Sequence, residues 1–198
     1  MNRFLKNIIL VIFFNLACTL VHAQGDSTSS RESRFTFYLG VGPNYYFNNL
    51  EILKDQVNEV NYAVIGRIMW EPKYRLSLGI ESGYNRLYTI NEDFKQASGS
   101  VSIVNSAIPI SFVVQMKFFE NFYANFNIGT TILQNKVSTT DYGDFNASTI
   151  SLGDFGGGIG YRKALKPRLY LGAETKFFWS AKLEDRNLSL LFMAGYRL

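Results

Sequence analysis

The sequence predicts an all-β protein: an eight-stranded antiparallel transmembrane β-barrel, wound as an up-and-down meander, after an N-terminal signal peptide. Three observations predict it. Charged residues are only 18% of the 198-residue chain, against 47% hydrophobic and 16% aromatic, whereas a soluble domain carries roughly 25% charged residues. After the first two dozen residues no continuous apolar stretch reaches the ~20 residues of a membrane helix. Apolar and small polar residues instead alternate with a period of two in segments of about ten residues or more, as in strands that cross a bilayer.

Residues 1–23 read as the signal peptide. Arg3 and Lys6 give a positive start, an apolar run from Ile8 to Phe14 follows, and Val21-His22-Ala23 forms a small-residue cleavage site before Gln24. A membrane anchor is the alternative, but Asn15 and Thr19 interrupt the run well short of a span. A lipid-modified Cys18 after Leu16-Ala17 is another, which Asn15 fits poorly. Cleavage after Ala23 removes Arg3, Lys6, Cys18 and His22, so Lys plus Arg falls from 20 to 18 against 16 Asp plus Glu, a net charge of +2. Such a chain has no strong basic field for nucleic acid, and without cysteine it has no disulfide, thiolate or cysteine-based metal chemistry. Residues 24–33 are polar and Ser-rich, a short linker.

The barrel occupies residues 34–198, with strands at about 34–47, 58–71, 74–90, 101–118, 122–136, 149–163, 168–182 and 187–198. In the first, Phe35 and Phe37 lie near one end and Tyr45 near the other, with Pro43 inside; in the second, Trp70 and Tyr62 take those places. The third alternates Leu76, Leu78, Ile80, Tyr84 and Tyr88 with Ser77, Gly79, Glu81, Gly83 and Asn85. The fourth contains Pro109; a proline cannot donate to the ladder, so bulges are expected at Pro43 and Pro109. In the fifth, Phe122, Ala124, Phe126, Ile128 and Ile132 alternate with Tyr123, Asn125, Asn127, Gly129 and Thr131. In the sixth, Gly156-Gly157-Gly158 beside Asp154 breaks the alternation and suggests a bend or bulge. A phosphate-binding loop would need a helix to follow, and Ile159-Gly160-Tyr161-Arg162 reads as strand. The seventh sets Leu169, Leu171, Ala173, Phe177 and Trp179 against Tyr170, Gly172, Glu174 and Lys176; the last sets Leu188, Leu190, Phe192, Ala194, Tyr196 and Leu198 against Ser189, Gly195 and Arg197, with Leu191 and Met193 as exceptions.

Short connections at Glu71-Pro72-Lys73-Tyr74, Phe119-Glu120-Asn121 and Ala164-Leu165-Lys166-Pro167 alternate with longer polar ones near 48–57, 91–100, 137–148 and 183–186. Short turns on one rim and long loops on the other are usual for membrane barrels.

Alternation alone also fits a soluble ligand-binding barrel with its apolar face inward. The polar face decides for the membrane: it is mostly Gly, Ser, Asn and Thr, too poor in charge to solvate an exterior and small enough to fill the lumen of an eight-stranded barrel. Aromatic residues gather toward two rims, Phe35, Phe37, Trp70, Phe118, Phe122 and Tyr196 at one and Tyr45, Tyr62, Tyr84, Tyr88, Phe177 and Trp179 at the other, where their mixed character suits a membrane interface. By parity Arg67, Glu81, Arg162, Glu174, Lys176 and Arg197 face inward, with Gln115 and Lys117 nearby. Opposed pairs of Glu81 or Glu174 with Arg67 or Lys176 would neutralise one another and close the lumen, since buried unpaired charge is costly.

Two segments carry a family resemblance: Ala107-Ile108-Pro109-Ile110 leading through Ser111 to Lys117, and the terminal Ala194-Gly195-Tyr196-Arg197-Leu198. Together with the strand pattern over nearly all of the mature chain, they resemble the bacterial outer membrane protein beta-barrel or porin-family group, PorT-like proteins included, and more distantly the small OmpA and OmpX-type barrels. The resemblance implies a location in the cell outer membrane, contact with its lipids, and recognition of the C-terminal strand by the barrel-assembly machinery, with Leu198 in place of the more usual terminal Phe.

Enzymes built on such barrels resemble one another in using a catalytic His, which cleavage of the signal would remove here. Ser-Lys or carboxylate-only chemistry stays open, but no spacing supports either. The expectation is therefore a non-enzymatic barrel with no catalytic residues, cofactor or metal, no nucleic-acid partner, and a structural or interaction role behind a mostly plugged polar lumen. The alternatives are a narrow ion or small-solute channel and a soluble periplasmic ligand-binding barrel. Loops containing Asn91 to Gln96 and Thr139 to Phe145 are candidates for contact with an unknown surface partner.

Overall fold

The computed structural model describes residues 33–47, 56–94, 99–140, 143–182 and 184–198. The expected signal peptide, nearly all of the linker and most of the 48–57 connection lie outside these residues. Among the described residues nine strands form one antiparallel sheet: β1 (Arg34–Phe47), β2 (Val57–Asn58), β3 (Val60–Glu71), β4 (Leu76–Phe94), β5 (Gly99–Lys117), β6 (Phe122–Thr139), β7 (Gly143–Lys166), β8 (Leu169–Trp179) and β9 (Arg186–Arg197). β2 continues β3 along the edge of β4, with Val57 opposite Ile90. The other eight pair in chain order, and β9 returns to pair with β1, so the meander closes as an eight-stranded barrel. Closure removes the two sheet edges that an open meander would leave unpaired. Beyond β9 the ladder ends where the Leu198 amide donates to the Phe35 carbonyl at 2.9 Å.

Side-chain direction follows from strand geometry, because successive residues point to opposite faces. Along β9 buried and exposed positions alternate, Leu188, Leu190, Phe192 and Tyr196 lying outside and Asn187, Ser189, Leu191 and Met193 inside. Phe192 is 66% exposed whereas Leu191 beside it is fully buried. Leu191 and Met193, exceptions to the sequence pattern, are thus lumen residues that pack with Tyr38, Ala63, Ile65, Met69 and Val113. A barrel with apolar residues outside and polar ones inside is the reverse of a soluble ligand-binding barrel, and the exterior requires an apolar solvent.

That exterior has a sharp upper limit on the β4 to β7 side. Ile108, Ile132 and Ile150 lie side by side across β5, β6 and β7, and two residues further along Ser106, Gln134 and Ser148 take their place. Between Ile108 and Met116 on β5 the outward residues are apolar, matching the ~25 Å apolar band of membrane barrels. Phe35, Phe37, Trp70, Phe118, Phe122 and Tyr196 are exposed toward the rim that carries the chain ends and short turns. Phe119 and Tyr161 join them, with Phe122 and Tyr161 rings 5.0 Å apart.

Four expectations need correction. Neither proline produces a bulge: Pro43 lies opposite Tyr62 and Pro109 opposite Thr131 without a shift of register. The missing N–H leaves a gap in the ladder on one side while the other side and the pleat continue. The irregularities lie instead at Leu87 in β4, at Gly153 in β7 and at Leu165. The Gly156 to Gly158 run pairs regularly with β8 and no helix follows it, so neither a bulge nor a phosphate loop resides there. Because the extra residue at Leu87 reverses parity, Tyr88 leaves the outer aromatic row and packs inside against Tyr46, ring centroids 5.1 Å apart. Finally, the connections expected at 91–100 and 137–148 are largely strand: β4 and β5 pair out to Phe94 and Gly99, and β6 and β7 out to Thr139 and Gly143. These extensions satisfy their backbone groups by pairing, while their sequences carry no regular period of two.

Candidate functional site

The lumen is filled by side chains from every wall. Arg67 on β3 sits at its centre, two residues from the inward Ile65 and Met69, and is 1% exposed. Its register partner across the β3–β4 ladder is Glu81, so this ion pair is a direct consequence of strand register. The guanidinium donates to Glu81 Oε2 from Nε at 2.8 Å and from a terminal nitrogen at 2.6 Å. It reaches across the lumen to β8, where its terminal nitrogens donate to Glu174 at 2.9 and 2.7 Å. Glu174 also accepts from the Tyr123 hydroxyl at 2.8 Å, and Lys176, two residues along β8, pairs with Glu81. Two cations and two carboxylates therefore cancel within one buried network. The planar guanidinium suits this task because it can bridge two carboxylates at once.

A second cluster lies nearer the rim with the short turns. Glu71 accepts from Thr36 Oγ1 at 3.0 Å, from the Tyr38 hydroxyl at 2.9 Å and from Arg162 at 2.6 Å. Arg162 also contacts the Tyr38 hydroxyl, and its guanidinium lies 5.4 to 5.6 Å from the Tyr38, Tyr123 and Tyr170 ring centroids. Arg197 stacks on Tyr170 at 4.7 Å. Such cation–π contacts hold a guanidinium where carboxylates are few. At the other end, beyond the strand segments, burial pushes the Asp185 carboxyl up, and the hydrogen bond it accepts from Tyr46 at 2.6 Å opposes that rise.

Of the eight residues singled out from the sequence, Arg67, Glu81, Glu174 and Lys176 are brought together in the central network. Arg162 belongs to the rim cluster, where Arg197 and Lys117 are half-buried in the wall. Gln115 is buried but makes none of the network's contacts, and its Nε2 has no partner in the protein. Glu71, Thr36, Tyr38 and Tyr123 are members that sequence reasoning missed. Glu71 shares the parity of Arg67 and was legible from it, but the adjacent Pro72 marks it as turn. Tyr123 already stands on the polar face of the sequence alternation, but neither it nor Tyr38 carries a charge that marks it as a member of an ion-paired network.

Two glycines make room for those tyrosines. Gly160 lies opposite Tyr123 and Gly195 opposite Tyr38 across their ladders, and a methyl at either would strike the facing ring. The rings lie flat over glycine, which delivers their hydroxyls to Glu174 and Glu71.

Among the described residues no three His, Cys, Asp or Glu side chains are grouped to hold a metal ion. A closed antiparallel sheet with a lipid-like exterior and an ion-paired interior defines a small transmembrane β-barrel. Solved structures with this architecture include Ail, the attachment invasion locus protein of Yersinia pestis, in complex with the heparin analogue sucrose octasulfate; it is 12% identical over 84% of this chain and 99% of that one, with a TM-score of 0.55. Neisserial surface protein A is similar at 11% identity over 83% of this chain and 97% of its own, with a TM-score of 0.51. At these identities the likeness is one of fold. No family model matches the chain, and no curated protein matches it in sequence.

Proposed function

We propose that this protein is an integral barrel of the bacterial outer membrane, non-enzymatic, with a plugged lumen and a structural or interaction role exercised at its surface. The observation that carries the reading is the Arg67–Glu81–Glu174–Lys176 network with Tyr123: its charges cancel, its members are buried, and residues from β3, β4, β6 and β8 span the lumen through it. Inner apolar clusters around Ile65 and Met69 and around Leu87 and Leu133 occupy further cross-section. A path for ions would have to break bonds of the strong, charge-assisted kind.

With the interior committed to packing, surface function falls to the hairpins that rise above the apolar band, β4–β5 and β6–β7. A rigid barrel is a suitable base for such recognition elements. The PorT-like relationship is the finer family assignment, supported by the Ile108-Pro109-Ile110 strand and the aromatic-x-hydrophobic C-terminus. By the same resemblance the final strand addresses the chain to the assembly machinery, and its lasting partners are outer-membrane lipids.

Fractionation of expressing cells, with gel mobility of the product before and after heating, tests the placement: an outer-membrane pellet and a heat-dependent shift are expected, and a soluble periplasmic product would refute it. Planar-bilayer recording tests the plug. Wild-type protein is expected to be silent; steady conductance that Glu174→Gln alters would establish the narrow-channel reading instead.

A further inference from the structure

The outer wall carries a hollow where the apolar band ends. Ile108, Ile132 and Ile150 close that band side by side on β5, β6 and β7. Two residues nearer the long hairpins, about 7 Å along the strands, Ser106, Gln134 and Ser148 form the next outward row, and Lys136 lies opposite Asn146 in the row after it. All share the parity of the isoleucines. The serines on either side of Gln134 are short, so the wall recedes just above the isoleucine row. A hollow of about 430 Å³ opens there, with Tyr84 of β4 on its flank. Its size falls within the roughly 300–1,000 Å³ of small-molecule sites.

The lining suits a polar head group. Ser106 is 5% exposed although it faces outward, and Gln134, Lys136, Asn146 and Ser148 are exposed. Two amides and two hydroxyls both donate and accept hydrogen bonds, which matches a sugar with several hydroxyls. The half-buried Tyr84, its ring 5.9 Å from that of Tyr62, presents an apolar surface on which a sugar ring can pack. Lys136 supplies positive charge. Its contact with Asp144 is 3.9 Å long with both side chains more than half exposed, a pair worth little, so the ammonium is available to a phosphate. Below the hollow, Ile110 and Phe112 continue the isoleucine row into an exposed apolar wall that acyl chains can cover.

Given the outer-membrane placement proposed above, on which this site rests, we propose that the hollow holds the head group of a phosphorylated glycolipid of the outer leaflet. Its sugar lies against Tyr84, Ser106, Gln134, Asn146 and Ser148, its phosphate meets Lys136, and its acyl chains run down over Ile108, Ile132 and Ile150. A glycerophospholipid would leave most of these polar groups to water, and a free phosphate would meet a single exposed ammonium. The bound lipid fixes the depth of the barrel in the membrane on the side where the long hairpins leave it.

The test uses the folded barrel in zwitterionic detergent, titrated with monophosphoryl lipid A, its dephosphorylated form or dioleoyl phosphatidylglycerol, with bound lipid counted by native mass spectrometry. Monophosphoryl lipid A is expected to bind roughly tenfold more tightly than either of the others, the worth of one charge-assisted hydrogen bond or of a few neutral ones. Inorganic phosphate in large excess is expected to leave it bound. Lys136→Gln is expected to erase the preference for the phosphorylated form, and Ser148→Phe, which fills the hollow, to weaken both forms of lipid A about tenfold. Both residues are exposed, and heat-dependent gel mobility checks that each variant folds. Equal affinity for lipid A and phosphatidylglycerol, displacement by phosphate, or wild-type binding in both variants would overturn the site. A heat-modifiable barrel without lipid preference would remove this site alone, whereas a soluble product that heat does not shift would undo the membrane placement as well.

Discussion

Arg67 shows how much one side chain contributes to this interior. It serves two carboxylates at once, and without it Glu81 would retain only Lys176 while Glu174 would retain the neutral Tyr123 hydroxyl. Arg67→Met is therefore expected to destabilise the barrel by roughly 3–5 kcal/mol, the range for breaking a buried pair from one side. Urea unfolding of the purified protein in lipid vesicles measures this; a loss below about 1 kcal/mol would mean that water already screens the network. Replacing Arg67 and Glu174 together should recover much of the loss, since the neutral pair leaves no charge buried alone. The glycine beneath Tyr123 supplies a milder probe. Gly160→Ala is expected to cost about 1–3 kcal/mol by overpacking, and to do so less in a Tyr123→Leu background where no hydroxyl needs delivery to Glu174.

Individual strands show where parity is obeyed and where one residue resets it. β9 alternates without interruption, so its lumen and lipid faces follow from the sequence alone, Leu191 and Met193 included once apolar residues are admitted to the interior. β4 and β7 each contain an extra residue, and beyond Leu87 and Gly153 sequence parity gives the opposite face. Gly153→Ala places a Cβ in the left-handed region and is expected to cost about 1–2 kcal/mol, read as a lowered urea midpoint with unchanged slope. The β6–β7 hairpin is a different case, because its strands pair out to Thr139 and Gly143, above the apolar band. Excision of 139–145 with a short Gly-Ser link is expected to leave heat-dependent gel mobility intact and the unfolding midpoint within about 0.5 kcal/mol. A barrel that fails to form would show that these strand ends are needed for folding rather than for surface contact.

At the scale of the molecule, stability depends on the final seam. β9 meets β1 over the stretch from Thr36 and Arg197 to Phe47 and Arg186, and no earlier pairing can hide the two open edges. Removal of residues 194–198 is expected to abolish the compact, heat-sensitive gel form; retention of that form would mean the seam is not required for closure. The sequence by itself determined the class of fold, the eight segments and most inward charges, because a period of two and a shortage of charge are local properties that survive without coordinates. It also placed Arg67, Glu81, Glu174 and Lys176 on one face, but not in one network. Only the tertiary structure decided which carboxylate meets which cation, since register and curvature bring β3 and β8 together across a lumen that no local pattern records. It likewise decided the bulges and the paired hairpin extensions: a single inserted residue alters direction without altering composition, and backbone pairing between polar strands leaves no hydrophobic signature.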